Sequence, residues 1–256
     1  MMSYDFGFCC FGRFESGLRS NNEHIFDLHT TSFLDAVGKS AEQFSRQLEI
    51  DVPLHRAQHG CDYVGPDGVL VNCFNTERML PNDRVGDGRA NKKGKPVFYG
   101  ATLEKLAIQE TRPWIGQHVS VAVYQLERPR RILDLTSPAF VPVTEVLHRS
   151  FGKGQSPVES VEYERAAWSD IAGAFATPVT RGDDPRDYLA TQVLTELFRS
   201  QGFEGLAFRS SLNQCDADLD KVGYNVVLFD YENLLETSSK VVEILQLDLR
   251  YKSTLA

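Results

Sequence analysis

Short apolar segments with alternating residues constrain the fold of this sequence more than any other feature. The segment from Val119 to Leu126 begins with valine at every second position, as in a strand with one buried face. The segment from Leu245 to Tyr251 alternates leucine and tyrosine with polar residues in the same way. Further strand patterns lie at Pro96 to Gly100, Arg131 to Leu135, Gly205 to Arg209 and Tyr224 to Phe229. The chain is therefore expected to build a sheet.

Helical spacing of apolar residues predicts helices that are distributed irregularly between these strands. Leu103, Leu106 and Ala107 form the apolar side of one helix, from Thr102 to Glu110. The other predicted helices are Thr31 to Leu48, Val158 to Phe175 and Tyr188 to Ser200. Because strands and helices do not alternate regularly, we predict an α+β fold with a mixed or antiparallel β-sheet core and flanking helices.

Length and composition allow one large domain with a substantial core. The chain has 256 residues, of which 42% are hydrophobic. Its formal charge of -8 and its pI near 5.3 disfavour a nucleic-acid partner, because phosphate backbones attract basic surfaces. No apolar stretch has the length of a membrane span and the N-terminus shows no signal pattern, so we expect no membrane association and a cytoplasmic location.

The sequence lacks the familiar nucleotide and metal motifs. The run GDGRANKKGKP has five residues between Gly88 and Gly94, where a phosphate-binding P-loop has four. The run also lacks the G-x-G-x-x-G spacing of a dinucleotide-binding turn. The histidines form no HExxH motif and the five cysteines no CxxC pair, so neither a metal site nor a disulfide framework is expected.

The segment from Arg78 to Trp114 contains a closely spaced set of polar and aromatic residues. It includes the run GRANKKGKPVFY, in which Tyr99 follows Arg89 by ten residues. Glu110 follows Tyr99 by a further eleven residues. The run resembles the GR-x-N-x-x-G-x-P-x-x-Y motif of the RES domain family, and the order matches that of the family's essential arginine, tyrosine and glutamate.

Residues outside this segment continue the resemblance. A predicted strand that leads to Ser210 is followed by a strand that contains Asn225, in the order that the family shows. Gln192 lies on the preceding helix, and Arg56 lies in a stretch that resembles the opening of the family's domain. Ser210 is chosen over the adjacent Ser211 by the family's spacing, because strand geometry alone shows only that the two residues face opposite sides.

The resemblance implies a domain organisation, a fold and an activity. Residues 53–256 would form the RES catalytic domain and residues 1–52 a helical N-terminal extension. The implied fold is similar to that of ADP-ribosyltransferases. The implied activity is destruction of NAD⁺, by hydrolysis or by phosphorolysis with inorganic phosphate, with NAD⁺ as substrate and no further cofactor. The implied biological role is that of a toxin inhibited by an antitoxin protein. The oligomeric state stays open, a homo-oligomer included.

The matched residues suit the chemistry of such a reaction. Departure of nicotinamide leaves a ribose with oxocarbenium character, which the carboxylate of Glu110 would stabilise. Guanidinium groups bind phosphate oxygens bidentately, which suits Arg89 and Arg56 to the diphosphate of NAD⁺. Tyr99 offers a ring face for nicotinamide, and Ser210 offers a hydroxyl near the reacting carbon.

Several of these roles have simpler alternatives. Asn91, Gln192 and Asn225 are candidate substrate-binding residues, but side chains of this type also hydrogen-bond within turns and at strand ends. Tyr99 has the alternative of core packing with a satisfied hydroxyl. Two alternative functions also stay open: transfer of ADP-ribose to a protein, as in a mono-ADP-ribosyltransferase, and a catalytically silent module that only binds partners.

Overall fold

The computed structural model describes residues 10–20, 26–64, 70–136, 160–177, 185–213 and 218–248. Its α-helices are α1 (Cys10–Ser20), α2 (Leu28–Ser40), α3 (Thr76–Met79), α4 (Glu104–Glu110), α5 (Ser160–Ala176), α6 (Leu189–Ser200) and α7 (Leu219–Val222). Its strands are β1 (Ser45–Leu48), β2 (Leu54–His59), β3 (Asp62–Val64), β4 (Leu70–Asn72), β5 (Phe98–Ala101), β6 (His118–Leu126), β7 (Arg130–Leu135), β8 (Gly205–Phe208), β9 (Asn225–Leu228) and β10 (Leu234–Glu243).

Eight of these strands form one sheet in the order β1-β7-β8-β9-β5-β2-β6-β10, and β3 and β4 form a separate pair. In the large sheet β7 and β8 are parallel, and the other neighbours are antiparallel. A parallel pair needs a crossover connection, and the chain between β7 and β8 contains α5 and α6. The predicted α+β fold with a mixed, mostly antiparallel sheet and flanking helices is confirmed.

The sheet carries an apolar core on each face. In β8, Leu206 and Phe208 pack in a cluster with residues of α1, α2, α5 and α6. Ala207, which lies between them, packs instead in a second cluster that contains Phe98 and Tyr124. This division follows from the opposite directions of successive strand side chains. We call the face covered by these four helices the helical face.

The sheet is least continuous between β2 and β5. The two strands pair only at His55 and Ala101, whereas β2 pairs with β6 at six positions. Helix α4 follows β5 closely and packs over this seam, because Leu106 and Ala107 join Ala57 and Ala101 in one apolar cluster. The seam and the end of α4 together leave room for the polar residues described below.

The described residues before position 53 contribute side chains to the helical face. Phe14 of α1 and Phe33 of α2 stack with their ring centroids 4.6 Å apart. Both belong to the same buried cluster as Trp168 of α5 and Phe198 of α6. β1 continues this integration by pairing with β7 at the edge of the large sheet. The division into residues 1–52 and 53–256, which the resemblance to the RES family implies, stays a prediction.

The predicted helix from Thr31 to Leu48 is wrong at both ends. Asp27 caps α2 by accepting a hydrogen bond of 2.7 Å from the backbone N–H of Thr30, so the helix begins earlier than predicted. It ends at Ser40, and after a short 3-10 turn the chain enters β1. Pairing of β1 with β7 outweighs the helical spacing of the apolar residues in this segment.

The predicted strand from Leu245 to Tyr251 is not confirmed. Residues 245–248 belong to no strand, and residues 249–251 lie outside the described part of the chain. The edge of the sheet is formed instead by β10, which is mostly exposed and contains the polar run Glu-Thr-Ser-Ser-Lys. A strand at a sheet edge can keep polar side chains towards solvent, so the apolar alternation that revealed β6 is missing here.

Other predicted elements agree with the structure to within a few residues. The strands β5, β6, β7, β8 and β9 and the helices α4 and α6 lie where the sequence predicts them. The helix predicted from Val158 to Phe175 corresponds to α5, although residues 158–159 lie outside the described part of the chain. Within the described ranges, no helix combines the length and the apolar character that crossing a membrane requires.

Candidate active site

A cavity of about 170 Å³ lies at the seam between β2 and β5, beneath the end of α4. It brings Arg56 and Asn225 together with Arg89, Tyr99 and Glu110, three residues that lie within 22 positions of one another in the sequence. Its remaining lining residues are His55, Ala57, Gly100, Ala101, Ala107, Thr111 and Phe208. Cations, a carboxylate and apolar walls therefore share one small space.

Glu110 is the last residue of α4 and forms the centre of the polar contacts. Its Oε1 accepts hydrogen bonds of 2.7 Å from Ser210 Oγ and of 2.7 Å from Asn225 Nδ2. Its Oε2 lies 3.9 Å from Arg89 Nη2. A carboxylate at a helix C-terminus opposes the helix dipole, and these three partners compensate for that placement.

The contact with Glu110 distinguishes the two adjacent serines. Ser210 is buried, donates to Glu110 and also accepts a hydrogen bond of 3.1 Å from the backbone N–H of Leu212. Ser211 begins a short 3-10 turn that follows β8. Ser210 is thus the serine that touches the carboxylate, and its predicted role in the reaction stays a prediction.

Arg89 is held between a helix end and the carboxylate. Its Nη1 donates to the backbone carbonyls of Phe175 and Ala176 at the C-terminus of α5. Carbonyls at a helix C-terminus lack partners within the helix and attract cations. The guanidinium also lies over the Phe208 ring, 5.3 Å from the centroid. These contacts direct Nη2 towards Glu110 and the cavity.

Arg56 lines the cavity from the seam and also connects neighbouring segments. Its Nε donates to the carbonyl of Met79, and its Nη1 donates to the carbonyl of Tyr99 at 2.9 Å. Its guanidinium lies 5.6 Å from the centroid of the Phe98 ring. Burial lowers the pKa of Arg56 from its usual value. Part of its donor capacity is therefore used inside the protein, and phosphate binding by Arg56 stays a prediction.

A buried network holds the loop that carries Arg89. Tyr99 Oη donates to Asn91 Oδ1 at 2.9 Å and accepts from the N–H of Ala90 at 2.9 Å. Gln192 Nε2 donates to the carbonyls of Gly88 and Asn91 at 3.0 Å and 2.9 Å. A Cβ at Gly88 would lie 2.5 Å from Asn91 Oδ1, so the loop requires glycine there.

The network explains where three predicted site residues lie. Burial raises the pKa of Tyr99 to about 12, so its hydroxyl is neutral and acts as a hydrogen-bonding group. Asn91 and Gln192 contact the loop and do not line the cavity. Their described contacts follow the simpler alternative of turn hydrogen bonding, and direct substrate binding by either residue stays a prediction.

Comparison with protein-family models identifies the family of this chain. A model of the RES domain matches residues 53–250. The chain belongs to the RES domain family. The match includes the cavity, the Arg89 loop and the strands on both sides of the seam. No curated protein matches the sequence.

A solved structure shows a weak similarity to this RES protein. It is a chain of the crystal structure of the M. tuberculosis MbcT-MbcA toxin-antitoxin complex. The alignment covers 82% of this chain and 93% of that chain, with 13% sequence identity and a TM-score of 0.41.

The described part of this RES protein contains no cluster of potential metal ligands. Across those residues, no group of three or more His, Cys, Asp or Glu side chains has the geometry of a metal site.

Some cavity residues escaped the sequence reasoning. His55, Ala57 and Thr111 line the cavity, and Phe208 supports the Arg89 guanidinium. The position of His55 beside Arg56, in the stretch that resembles the opening of the RES domain, singles it out in the sequence without giving it a role. Phe208 precedes Ser210 by two residues on the buried strand, but an apolar strand residue gives no sign that it supports an arginine.

Removal of the Tyr99 hydroxyl is expected to destabilise this RES domain by about 1–3 kcal/mol. In Tyr99→Phe the backbone N–H of Ala90 and the side-chain Oδ1 of Asn91 both lose a buried partner. Urea unfolding would measure the change in the free energy of unfolding. Tyr63→Phe, at an exposed tyrosine, is the matched control. Equal stability of the two variants would show that the network does not hold the loop.

Proposed function

We propose that this RES-family protein cleaves the bond between nicotinamide and ribose in NAD⁺. The observation that carries the proposal is the Glu110 carboxylate in the cavity, with one oxygen bound to Ser210 and Asn225 and the other facing Arg89. The partners fix the position of a negative charge in a partly enclosed space. Fixed charges of this kind stabilise charge that develops during a reaction.

Cleavage of NAD⁺ needs stabilisation of positive charge on the ribose. The C–N glycosidic bond breaks with both electrons going to nicotinamide, which leaves as a neutral molecule. The ribose carbon gains oxocarbenium character, and a carboxylate close to it lowers the energy of that state. Glu110 is suited to this task by its charge and also by its capacity to accept hydrogen bonds from ribose hydroxyls.

The cation is then captured by an oxygen nucleophile. In hydrolysis, water adds to the ribose carbon and loses a proton to solvent, which gives ADP-ribose. In phosphorolysis, an oxygen of inorganic phosphate forms the new bond and the product carries the phosphate on that carbon. No serine nucleophile is needed, so Ser210 is proposed to position Glu110 and the substrate rather than to attack it.

Two arginines near the carboxylate support binding of an anionic dinucleotide. Arg89 and Arg56 both line the cavity, and each is anchored by backbone carbonyls. Anchoring reduces the conformational entropy that a long side chain loses when it binds a ligand. The diphosphate of NAD⁺ is the part of the substrate that these guanidinium groups would attract.

The products distinguish hydrolysis, phosphorolysis and transfer to protein. Purified protein would be incubated with NAD⁺ labelled in the adenylate phosphate, with and without inorganic phosphate, and products separated by chromatography and gel electrophoresis. We expect nicotinamide in equal amount to ADP-ribose or to its phosphorylated form. Label retained on a defined protein band would favour a mono-ADP-ribosyltransferase. Unchanged NAD⁺ in all reactions would favour a catalytically silent binding module.

We also propose a toxin role, with an antitoxin protein as partner. Membership of the RES family supports this proposal, as does the damage that uncontrolled loss of NAD⁺ would cause to a cell. Induced expression of the chain is expected to stop growth and to lower cellular NAD⁺. Co-expression of a small protein encoded next to it would restore both. Growth arrest without loss of NAD⁺ would contradict the proposed link between the toxicity and the reaction.

A further inference from the structure

Trp114 is a large aromatic side chain at the surface, four residues after Glu110. Its exposed fraction is 63%, whereas the other tryptophan of the chain, Trp168, is fully buried. The indole of Trp114 stacks on the His59 imidazole with 5.7 Å between ring centroids and an interplanar angle of 21°. The imidazole holds the indole in place, and much of the ring remains open to solvent.

Two segments connect the stacked pair of His59 and Trp114 with the cavity: strand β2 and the segment that follows α4. Along β2, side chains at every second position share a face, and His55, Ala57 and His59 form one such row. His55 and Ala57 line the cavity, so His59 lies immediately beyond it. The usual rise of a β-strand places His59 about 13 Å from His55. Along the chain after α4, Thr111 lines the cavity and Trp114 follows it by three residues.

The size of the cavity requires a second contact region for a dinucleotide. The cavity measures about 170 Å³. Pockets that enclose a whole ligand usually measure roughly 300–1,000 Å³. A dinucleotide that places its nicotinamide riboside beside Glu110 must therefore extend its other end over the surface.

The chain order of the residues after Glu110 matches the order of groups in NAD⁺. Thr111 lines the cavity, Arg112 is an exposed cation and Trp114 is an exposed aromatic ring. Arg112 has a φ of 52°, in the left-handed region that non-glycine residues rarely adopt. Arg112 directly follows Thr111, the C-cap of α4, and a left-handed residue at this position is a common way for a helix to end.

We propose that Trp114, backed by His59, is the platform on which the adenine base of NAD⁺ stacks, with Arg112 beside the diphosphate. The proposal rests on the proposed function and adds the subsite that selects a dinucleotide. Every base offers an aromatic face, and stacking on a side chain of this kind strengthens binding by about tenfold to a hundredfold. Arg112 adds a charge that a phosphate group attracts.

The first test measures binding and needs no catalysis. ADP carries the adenine and the diphosphate but no scissile bond. Because Trp168 is buried, quenching of tryptophan fluorescence by ADP would come mainly from Trp114. We expect saturable quenching in the wild type, none with ribose 5-phosphate, and loss of the quenching in Trp114→Leu. Phe26→Leu, at another exposed aromatic residue, is the matched control and is expected to retain the quenching.

The second test compares NAD⁺ with nicotinamide mononucleotide, which has the same scissile bond and no adenine. In Trp114→Leu the ratio of kcat/KM for NAD⁺ to kcat/KM for the mononucleotide is expected to fall about tenfold, through KM for NAD⁺. An unchanged ratio, or absence of quenching by ADP, would overturn the proposal. Quenching of tryptophan fluorescence by ADP in a protein that does not cleave NAD⁺ would contradict the proposed function but would support the adenine site.

Discussion

Replacement of Glu110 by glutamine is expected to slow nicotinamide release from NAD⁺ by about a hundredfold to a thousandfold. Glutamine keeps the size of the side chain and one oxygen that accepts hydrogen bonds from Ser210 and Asn225. It removes the negative charge that would stabilise the ribose cation. The expected change is therefore mainly in kcat, because charge on the ribose develops only in the transition state. Steady-state kinetics of nicotinamide release would measure it.

The matched control for this variant lies on the same helix. Glu104 begins α4, six residues before Glu110, and forms an ion pair of 2.9 Å with Lys240 at the surface. Glu104→Gln removes the same charge from the same helix at a position that does not line the cavity. It is expected to keep kcat within about a factor of two, since exposed ion pairs contribute little. If the two variants lost activity equally, the loss would come from damage to α4 and not from the chemistry of Glu110.

Replacement of Phe33 by alanine is expected to destabilise the protein by about 3–5 kcal/mol. Phe33 lies outside the region matched by the RES model, yet its exposed fraction is 1% and its ring stacks on Phe14. It shares a buried cluster with Trp168 and Phe198 of the helices over the sheet. The lost ring would leave a cavity between α2 and these helices. Urea unfolding followed by fluorescence of the buried Trp168 would report the change.

Phe26→Ala provides the control for this second prediction. Phe26 precedes α2 and has an exposed fraction of 40%, so its replacement is expected to change the free energy of unfolding by about 0.5 kcal/mol or less. A small change in both variants would mean that residues 1–52 form an appendage with little influence on the RES domain. A large change in Phe33→Ala alone would make this segment part of the folding unit.

The residues of the candidate site could be chosen from the sequence because a local motif carries most of them. Arg89, Tyr99 and Glu110 lie within 22 residues, and the structure brings them together with Asn225 at the cavity. The contacts between them could not be predicted. Tyr99 faces the loop through its hydroxyl, and Arg89 is anchored by the end of α5, some 86 residues later. Long-range hydrogen bonds of this kind leave no periodic signal in a sequence.

The fold was predictable where the side-chain pattern and the environment agree. β6 is apolar and buried on both faces, with Val119 and Val121 in one apolar cluster and Ala122 and Tyr124 in another, and β8 is buried at every position. β10 pairs along the whole of β6 through backbone groups while its side chains remain mostly exposed, so its sequence carries no such pattern. The prediction of where α2 ends is wrong for a related reason. The apolar residues up to Leu48 have helical spacing, but pairing of β1 with β7 determines the conformation of that segment.

The most direct test of the proposed reaction is a time course of NAD⁺ with purified wild type, Glu110→Gln and Glu104→Gln. Chromatography would follow NAD⁺, nicotinamide and the ADP-ribose products together. We predict equal amounts of nicotinamide and ADP-ribose product from the wild type and from Glu104→Gln, and almost none from Glu110→Gln. Intact NAD⁺ in all three reactions, or undiminished release by Glu110→Gln, would contradict the assignment of this cavity to NAD⁺ cleavage.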